Sequence, residues 1–408
     1  NLYPFEEAAR KNSTLDDLLE NIDIGGVSLL RAAAKNFRQV VVLADPSDYG
    51  AVAEELKAEG DVTLPTREML AVKAFITTSL YDGMISEGLC HSTGYSSPDL
   101  PAKMPLVLVK KQDLRYGENP HQQASLYLPP LLDLPWEQLS GKPLSYNNIL
   151  DADCAMRGCA MLQDCCGAVV IKHTTPCGMA RGAVPLEAYE KAFRCDPVSA
   201  FGGVVGISRK VDAGTLEKMT ERFTEVLVAP DFDDRTLEIL REKKPSLRIL
   251  RWKGGRASTL QYTGTWSGIL VQQDSLPSLP VPEKGEWVGR PRPDLWDDLI
   301  FAWKAAALSK SNAISIVTDG EAVGIGRGFC SRLHAVEFAV KQAGGRAQGA
   351  VLGSDAFFPF PDGVEAAAQA GITAIIQPGG SVRDGEVSEA AEKLGISMFL
   401  SGWRTFRH

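Results

Sequence analysis

Six short runs in this chain are apolar at nearly every position: "AVVIK" (168–172), "GVVGIS" (203–208), "EVLVA" (225–229), "AISIV" (313–317), "GAVLG" (349–353) and "ITAII" (372–376). A strand with one wet face alternates apolar and polar residues, whereas a run that is apolar throughout needs cover on both faces. Helical patterns separate the runs. Over 385–394, Val387, Ala390, Ala391 and Leu394 recur at i, i+3, i+4 and i+7, and Gly395 supplies a stop. Over 294–309, Leu295, Leu299 and Trp303 form one stripe, with Asp294 as the expected N-cap. Strands alternating with helices in this way define an α/β chain with a layered α/β/α architecture.

At 408 residues the chain is long enough for two or three domains. Two stretches have the composition of boundaries. "HSTGYSSPDLPAKMP" (91–105) is rich in Ser, Pro and Gly, and "LPSLPVPEKGEWVGRPRP" (276–293) carries five prolines, too many for the interior of a helix or central strand. The net charge of −8 argues against general affinity for nucleic acid or an anionic membrane, but leaves room for a local basic pocket around a phosphate. No segment has the roughly 18 consecutive apolar residues of a membrane span, and the opening residues do not read as a secretory signal. The eight cysteines form no paired CxxC units and have no His cluster beside them. Reduced thiols and a cytoplasmic setting are expected, with Cys165 and Cys166 filling core.

Within "AVVIKHTTPCG" (168–178) an apolar run breaks off into Lys172 and His173. A strand ending near residue 171 would place both at the carboxyl edge of a sheet, where open α/β folds bind ligands. An imidazole can take a proton near neutral pH, and an adjacent ammonium can stabilise developing negative charge. "LRYGENPHQ" (114–122) crowds polar groups around Gly117 and Pro120; its Arg115 and Tyr116 suit an anionic, planar ligand. "KSNAISI" (310–316) puts Asn312 at a helix-to-strand junction. "GIGRGFCSR" (324–332) is glycine-rich before Arg332 but lacks the context of a dinucleotide fingerprint. "SDAFFPFPDGV" (354–364) sets Phe357, Phe358 and Phe360 around Pro359, a slab suited to a flat heterocycle, with Asp355 and Asp362 at its flanks.

Taken in order, "NLYPF", "IDIGG…LLRAAAKN", "LRYGENPHQ", "LSYNNILDAD", "KHTTPCG", "DPVSAFGG", "KSNAI", "GIGRG..SR", "SDAFFPFPDGVEAA", "IIQPGGSVRD" and the terminal "FRH" resemble the bifunctional purine biosynthesis (PurH) family across the whole chain. The resemblance implies AICAR transformylase, which moves a formyl group from the cosubstrate 10-formyltetrahydrofolate to the 5-amino group of AICAR. It also implies IMP cyclohydrolase, which closes the product to IMP. By the same resemblance His173 is the proton acceptor, Lys172 stabilises the transition state at the formyl oxygen, and Asn312 holds the reacting geometry. Arg115, Tyr116, Gly202, Glu225, Phe357 and Arg404 match AICAR-binding positions. Arg332, Leu333, Asp362, Ser381 and Val382 match positions facing the folate. A homodimer with shared active sites and duplicated, cytidine-deaminase-like transformylase subdomains are implied too. No metal chemistry is required, although the family can hold a structural potassium ion.

The resemblance divides the chain into a cyclohydrolase remnant with linker (1–98) and a transformylase domain (99–408), the latter split near 276–293. Family members carry roughly a hundred residues before "NLYPF". The expectation is therefore a remnant of the IMP site (Asn1, Leu2, Asp23, Ile24, with Lys35 as the cyclisation residue) and lost or incomplete cyclohydrolase activity. The sequence departs from the family at Gly326–Cys330, where "GRGFC" replaces the commoner "GAGQ" before Ser331, and at Thr175, where Asn is common. The larger Arg327 and Phe329 are expected to reshape the folate mouth. Two rivals are weighed against this reading. A zinc deaminase would need HxE and a later PCxxC, but "PCG" at 176–178 lacks the second Cys. A non-catalytic folate or nucleotide sensor would not need Lys172, His173 and Asn312 intact.

Overall fold

The computed structural model of the chain describes residues 1–11, 13–95, 100–256, 258–274, 276–277 and 279–408. They form two compact units: residues 1–113, 125–134 and 260–272 in the first, and 114–124, 135–259 and 273–408 in the second.

The first unit contains α1 (Phe5–Arg10), α2 (Leu15–Glu20), α3 (Gly25–Lys35), α4 (Tyr49–Glu59) and α5 (Leu64–Thr93). Its two-stranded ribbons are β1 (Val109–Asp113) with β2 (Ser125–Leu128), and β9 (Leu260–Thr265) with β10 (Gly268–Gln273). The long α5 is the spine. Its Leu70, Ala71 and Ala74 pack with Ala34 of α3 and Val52 of α4, while its Tyr81 joins Phe5, Ala8 and Leu18.

The second unit is built on one twelve-stranded sheet in which a single succession of elements occurs twice. The first copy is β3 (Trp136–Ser140), α6 (Tyr146–Met161), β4 (Gly167–Lys172), β5 (Thr175–Arg181), α7 (Pro185–Cys195), β6 (Gly203–Ile207), α8 (Ala213–Glu221), β7 (Thr224–Ala229), α9 (Asp234–Lys243) and β8 (Arg248–Trp252). The second is β11 (Glu286–Val288), α10 (Trp296–Leu308), β12 (Ile314–Thr318), β13 (Glu321–Gly326), α11 (Arg332–Ala343), β14 (Val351–Ser354), α12 (Asp362–Gln369), β15 (Ala374–Gln377), α13 (Asp384–Lys393) and β16 (Ser397–Leu400). Each copy has a tight hairpin (β4–β5, β12–β13), then three parallel strands. Each is closed at its outer edge by its own first strand, antiparallel. The order β11-β16-β15-β14-β12-β13-β5-β4-β6-β7-β8-β3 reads as two halves meeting at β13 and β5.

The helices lie so close to the sheet that some strand positions admit no side chain. A Cβ on Gly178 of β5 would fall 1.8 Å from the Ala192 carbonyl oxygen of α7, and one on Gly324 of β13 would fall 2.1 Å from that of Ala339 in α11. The two glycines occupy matching places in the two copies.

One expectation is corrected. Asp294 does not cap α10: that helix starts at Trp296 behind a 3-10 turn (Pro293–Leu295), and the Asp294 carboxylate instead takes the Arg292 guanidinium at 2.7 Å. The proline-rich 276–293 stretch is not only a connection. It carries β11, whose place at the sheet edge, with prolines outside the strand, is where that composition is tolerated. In the 91–105 stretch α5 runs on to Thr93, and residues 96–99 lie outside the described residues. All eight cysteines are free. Among the described residues no helix is long and apolar enough to cross a membrane.

Candidate active site

One edge of the twelve-stranded sheet gathers most of the motifs picked out in the sequence. β4 runs toward this edge and ends in Lys172; β6 is antiparallel to it, so β6, β7 and β8 begin there, at Gly202, Glu225 and Arg248. In the second copy β12 begins at this edge just after Asn312, while β14, β15 and β16 end there. Their exits are the loops containing Phe357, Ser381 and Arg404. The expected carboxyl edge is thus correct for β4 and for β14–β16, but the parallel strands of the first copy present their amino ends. The reason is topological: β4 is antiparallel to its parallel neighbours.

Lys172 and His173 do not simply end a strand. His173 and Thr174 are the two-residue loop of the β4–β5 hairpin, with φ of 54° and 61°. Both are left-handed, a conformation that costs a residue with a Cβ about 1–2 kcal/mol, and β-branched Thr is a poor occupant. Three groups offset that cost. The Asp151 carboxylate of α6 accepts from the Thr174 N–H at 2.5 Å. The Thr174 carbonyl accepts from the Arg407 guanidinium at 2.9 Å and from the Cys154 thiol at 3.3 Å. Burial pushes the Asp151 carboxyl up from the usual range, opposed by the Thr174 N–H bond and the nearby His173 and Lys172 charges. The Lys172 ammonium donates to the carbonyls of Phe201 (3.2 Å) and Gly202 (2.8 Å), leaving its third N–H free for a ligand. His173 is exposed at the tip.

Asn312 is fixed just as firmly. Its amide NH2 donates to the carbonyls of Phe329 (2.9 Å) and Cys330 (3.2 Å), and its Oδ1 accepts from Arg332 at 2.7 Å. Arg332 is itself buried, its guanidinium also donating to Asp355 Oδ1 (2.6 Å) and Ser354 Oγ (2.7 Å). Arg332 therefore lies beneath the surface as the support of Asn312. The C-terminal tail links Asn312 to the hairpin. The Arg407 backbone brackets Ser311, accepting from its N–H at 2.9 Å and donating to its Oγ at 3.3 Å, while the Arg407 side chain reaches Thr174.

The other expected residues distribute along the same edge. Gly202 adjoins Lys172, and Glu225 is held by Asn148 at 2.8 Å. The exposed Arg115 stacks over Tyr116 at 5.2 Å. Nearby Arg248 has its guanidinium pushed down by burial, an effect Glu225 opposes and Arg115 reinforces. The aromatic slab is split: Phe358 is core, Phe357 is half-buried, and Phe360 is exposed beneath the Arg383 guanidinium at 4.9 Å. Leu333 is half-buried, Asp362 is exposed at the start of α12, and Ser381 accepts from the Arg383 N–H at 3.1 Å beside a fully exposed Val382. Arg404 is exposed over Phe406 at 4.8 Å. Phe357 follows β14, four strands from β4, or roughly 19 Å at ~4.8 Å per strand. Arg327, in the departing segment, turns inward to Asp196 at 3.6 Å.

In the first unit, Asn1 and Leu2 line a cavity of about 270 Å³ with Tyr81, whose hydroxyl accepts from the Asp23 N–H at 2.9 Å. Asp23 in turn accepts from the N–H of Tyr3 (3.3 Å) and of Gly26 (2.6 Å). Ile24 is exposed, and so is Lys35 at the other end of α3, roughly 15 Å along the helix. Sequence reasoning missed Asp151, Asp355's partnership and Arg407. Asp151 and Arg407 stood inside quoted motifs ("LDAD", "FRH"), but only the fold shows that they converge on Thr174.

A duplicated α/β/α fold that offers an ammonium and an imidazole together at a sheet edge, beside a rigidly held amide, is built as an enzyme. The chain belongs to the family described as the AICARFT/IMPCHase bienzyme, which it matches over residues 33–342. It is 46% identical over 415 residues to the bifunctional purine biosynthesis protein PurH of Thermoanaerobacter sp. (strain X514). Identity is 47% over 425 residues with the PurH of Caldicellulosiruptor saccharolyticus and 45% over 420 with that of Bacillus mycoides. Each alignment takes in 100% of this chain and 80% of the relative. A solved chain of Acinetobacter baumannii RibD, form 2, aligns with 26% of this chain and 34% of its own at 22% identity and a TM-score of 0.21, too partial a match to bear on the fold.

Proposed function

We propose that this sheet edge carries out formyl transfer from 10-formyltetrahydrofolate to the 5-amino group of AICAR, in purine biosynthesis. The observation that carries the reading is the hairpin tip, where the fold accepts two strained residues to present Lys172 and His173 together. The amine nitrogen attacks the formyl carbon, and the remaining Lys172 N–H stabilises the charge on the formyl oxygen. His173 takes the proton lost by the amine and returns it to the tetrahydrofolate nitrogen, which leaves as the C–N bond breaks. The free lone pair of Asn312 Oδ1 accepts from the amine and orients it. Arg115, Tyr116, Gly202 and Glu225 are assigned to AICAR, with Phe357 and Arg404. Leu333, Asp362, Ser381 and Val382 are assigned to the folate, with Arg332 acting through Asn312.

Each repeat of the second unit is read as a cytidine-deaminase-like subdomain, supported by the shared element order. The working form is read as a cytoplasmic homodimer with shared sites. Supporting it are the roughly 19 Å between β4 and Phe357 within one chain and the 52% and 43% exposure of Trp403 and Phe406. Among the described residues no group of three or more His, Cys, Asp or Glu side chains could hold a metal ion. No step of the transfer needs a structural potassium ion. IMP cyclohydrolase, the family's second activity, is assigned to the first unit around Asn1, Leu2, Asp23, Ile24 and Lys35.

His173→Ala should lower the transfer rate by about 10²–10⁴-fold, and Lys172→Met should cost about 3–4 kcal/mol of transition-state stabilisation. AICAR affinity should stay within a few-fold in both. Near-normal rates in both variants would place the chemistry elsewhere. Mixing inactive His173→Ala and Arg404→Ala chains under subunit exchange should restore activity; exchange without recovery would refute the shared site.

A further inference from the structure

The duplication supplies an internal comparison for the His173–Thr174 turn. The matching hairpin of the second copy, β12–β13, turns through Asp319 and Gly320, with φ of 50° and 68°. Asp-Gly is an ordinary occupant of a loop that demands two left-handed residues. That loop too is held by a carboxylate from the preceding helix, because Asp298 of α10 accepts from the N–H groups of Asp319 and Gly320, both at 2.9 Å. In the first copy Asp151 of α6 takes the corresponding part. The carbonyls differ. Gly320 O accepts a backbone N–H from Arg181, at the end of β5, at 2.8 Å. Thr174 O, its counterpart, accepts instead from a side chain far along the sequence, Arg407 at 2.9 Å.

We propose that Arg407 is a positioning residue for formyl transfer. Its guanidinium fixes the Thr174 carbonyl and the end of α10 (Leu308 O, 2.8 Å), while its backbone holds Ser311, one residue before Asn312. One residue thereby sets the His173 imidazole against the Asn312 amide, while Asp151 secures the other side of the turn. A strained loop needs such holding more than an Asp-Gly loop does. The inference rests on His173 as proton acceptor, and the experiment keeps the two ideas separable.

Steady-state kinetics on Arg407→Ala, Arg407→Lys, His173→Ala and the Arg407→Ala/His173→Ala double variant, with thermal unfolding of each, provide the test. Arg407→Ala should lower kcat by about 10–100-fold, as expected for a misplacement of around 1 Å. KM for AICAR and for 10-formyltetrahydrofolate should stay within about 3-fold. Arg407→Lys keeps a donor but not the fork, and should recover part of kcat at near-native Tm, which keeps the idea testable if the alanine variant unfolds. In the His173→Ala background, adding Arg407→Ala should change the residual rate by less than about 2-fold, because residues acting as a unit are not additive. An unchanged kcat in both Arg407 variants would overturn the proposal. So would a raised KM for AICAR with kcat intact, which would mean only that the tail and Arg404 had moved, or a full additive loss in the double variant. A near-normal rate in His173→Ala alone would overturn the reading of the site itself.

Discussion

Replacing Arg332 by Met tests the buried support of Asn312. Arg332 and Asp355 are the most enclosed ion pair among the described residues, with side chains 5% and 0% exposed and 2.6 Å between Nη1 and Oδ1. Met keeps the length and apolar stem but leaves Asp355 with only the Ala313 N–H (3.1 Å) and the Ser311 hydroxyl. An ionised carboxylate stranded in this way typically costs about 3–5 kcal/mol. At about 2–4 °C per kcal/mol for a body of this size, Tm should fall by roughly 6–20 °C. Because the loss comes from an unpaired charge, Arg332→Met/Asp355→Asn should regain at least half of it. Calorimetry with urea titration of wild type, both single variants and the double would measure this. A single-variant loss below about 1 kcal/mol, or a double variant no better than Arg332→Met, would refute the reasoning. Even at temperatures where it is folded, Arg332→Met should turn over more slowly, because Asn312 Oδ1 loses its fixed donor.

Other perturbations probe different parts of the structure. Thr174→Gly relieves a left-handed β-branched residue while keeping both backbone bonds, so it should stabilise by about 0.5–1 kcal/mol after glycine's own entropic cost; a loss of stability on urea titration would contradict this. Gly178→Ala drives a Cβ into the Ala192 carbonyl and should cost about 3 kcal/mol, whereas Gly264→Ala, with nothing within 4 Å, should be nearly silent; equal effects would remove the close-packing argument. Burial pushes the Cys159 and Cys177 thiols up to about 12, so at pH 8 only ~10⁻⁴ of either is thiolate. A thiol reagent followed by peptide mass mapping should mark exposed Cys330 first and spare these two until the protein unfolds.

The strands were legible because burial on both faces leaves a continuous apolar run, and each of the six runs overlaps an observed strand. The α13 boundaries were legible because a periodic stripe ends at a glycine. Asp294 misled because capping depends on backbone geometry at the first turn, and the prolines at 291 and 293 delay that turn. The hairpin at 173–174 was not legible, since His-Thr is no turn signature; its left-handed residues are held by Asp151 and Arg407, which are distant in sequence. The duplication was expected from the family resemblance alone, not from any repeat in the residues. The two copies share element order and close-packed glycines but no visible repeat of residues. Lys172 and His173 could be singled out because charged groups ending an apolar run stand out locally. Arg332 was noticed but its buried partnership was not, because only the fold brings residue 355 to it.

The two hairpins also indicate why chemistry would settle at one of them. At the second, Asp298 holds the turn and is matched by the Arg181 guanidinium at 3.0 Å, so the carboxylate already has a cation. At the first, the described residues record no ion pair for Asp151, and burial pushes its carboxyl up. Close to it lie the Lys172 ammonium and the protonatable His173 imidazole, the two groups presented at the edge where a ligand could reach them. Arg407, which would be the natural partner, is spent on the carbonyls of Thr174 and Leu308. The same fold thus makes a closed, charge-balanced turn at one edge. At the other it makes an open turn whose Lys172 ammonium remains available to an incoming anion or developing oxyanion, with the His173 imidazole beside it to take a proton.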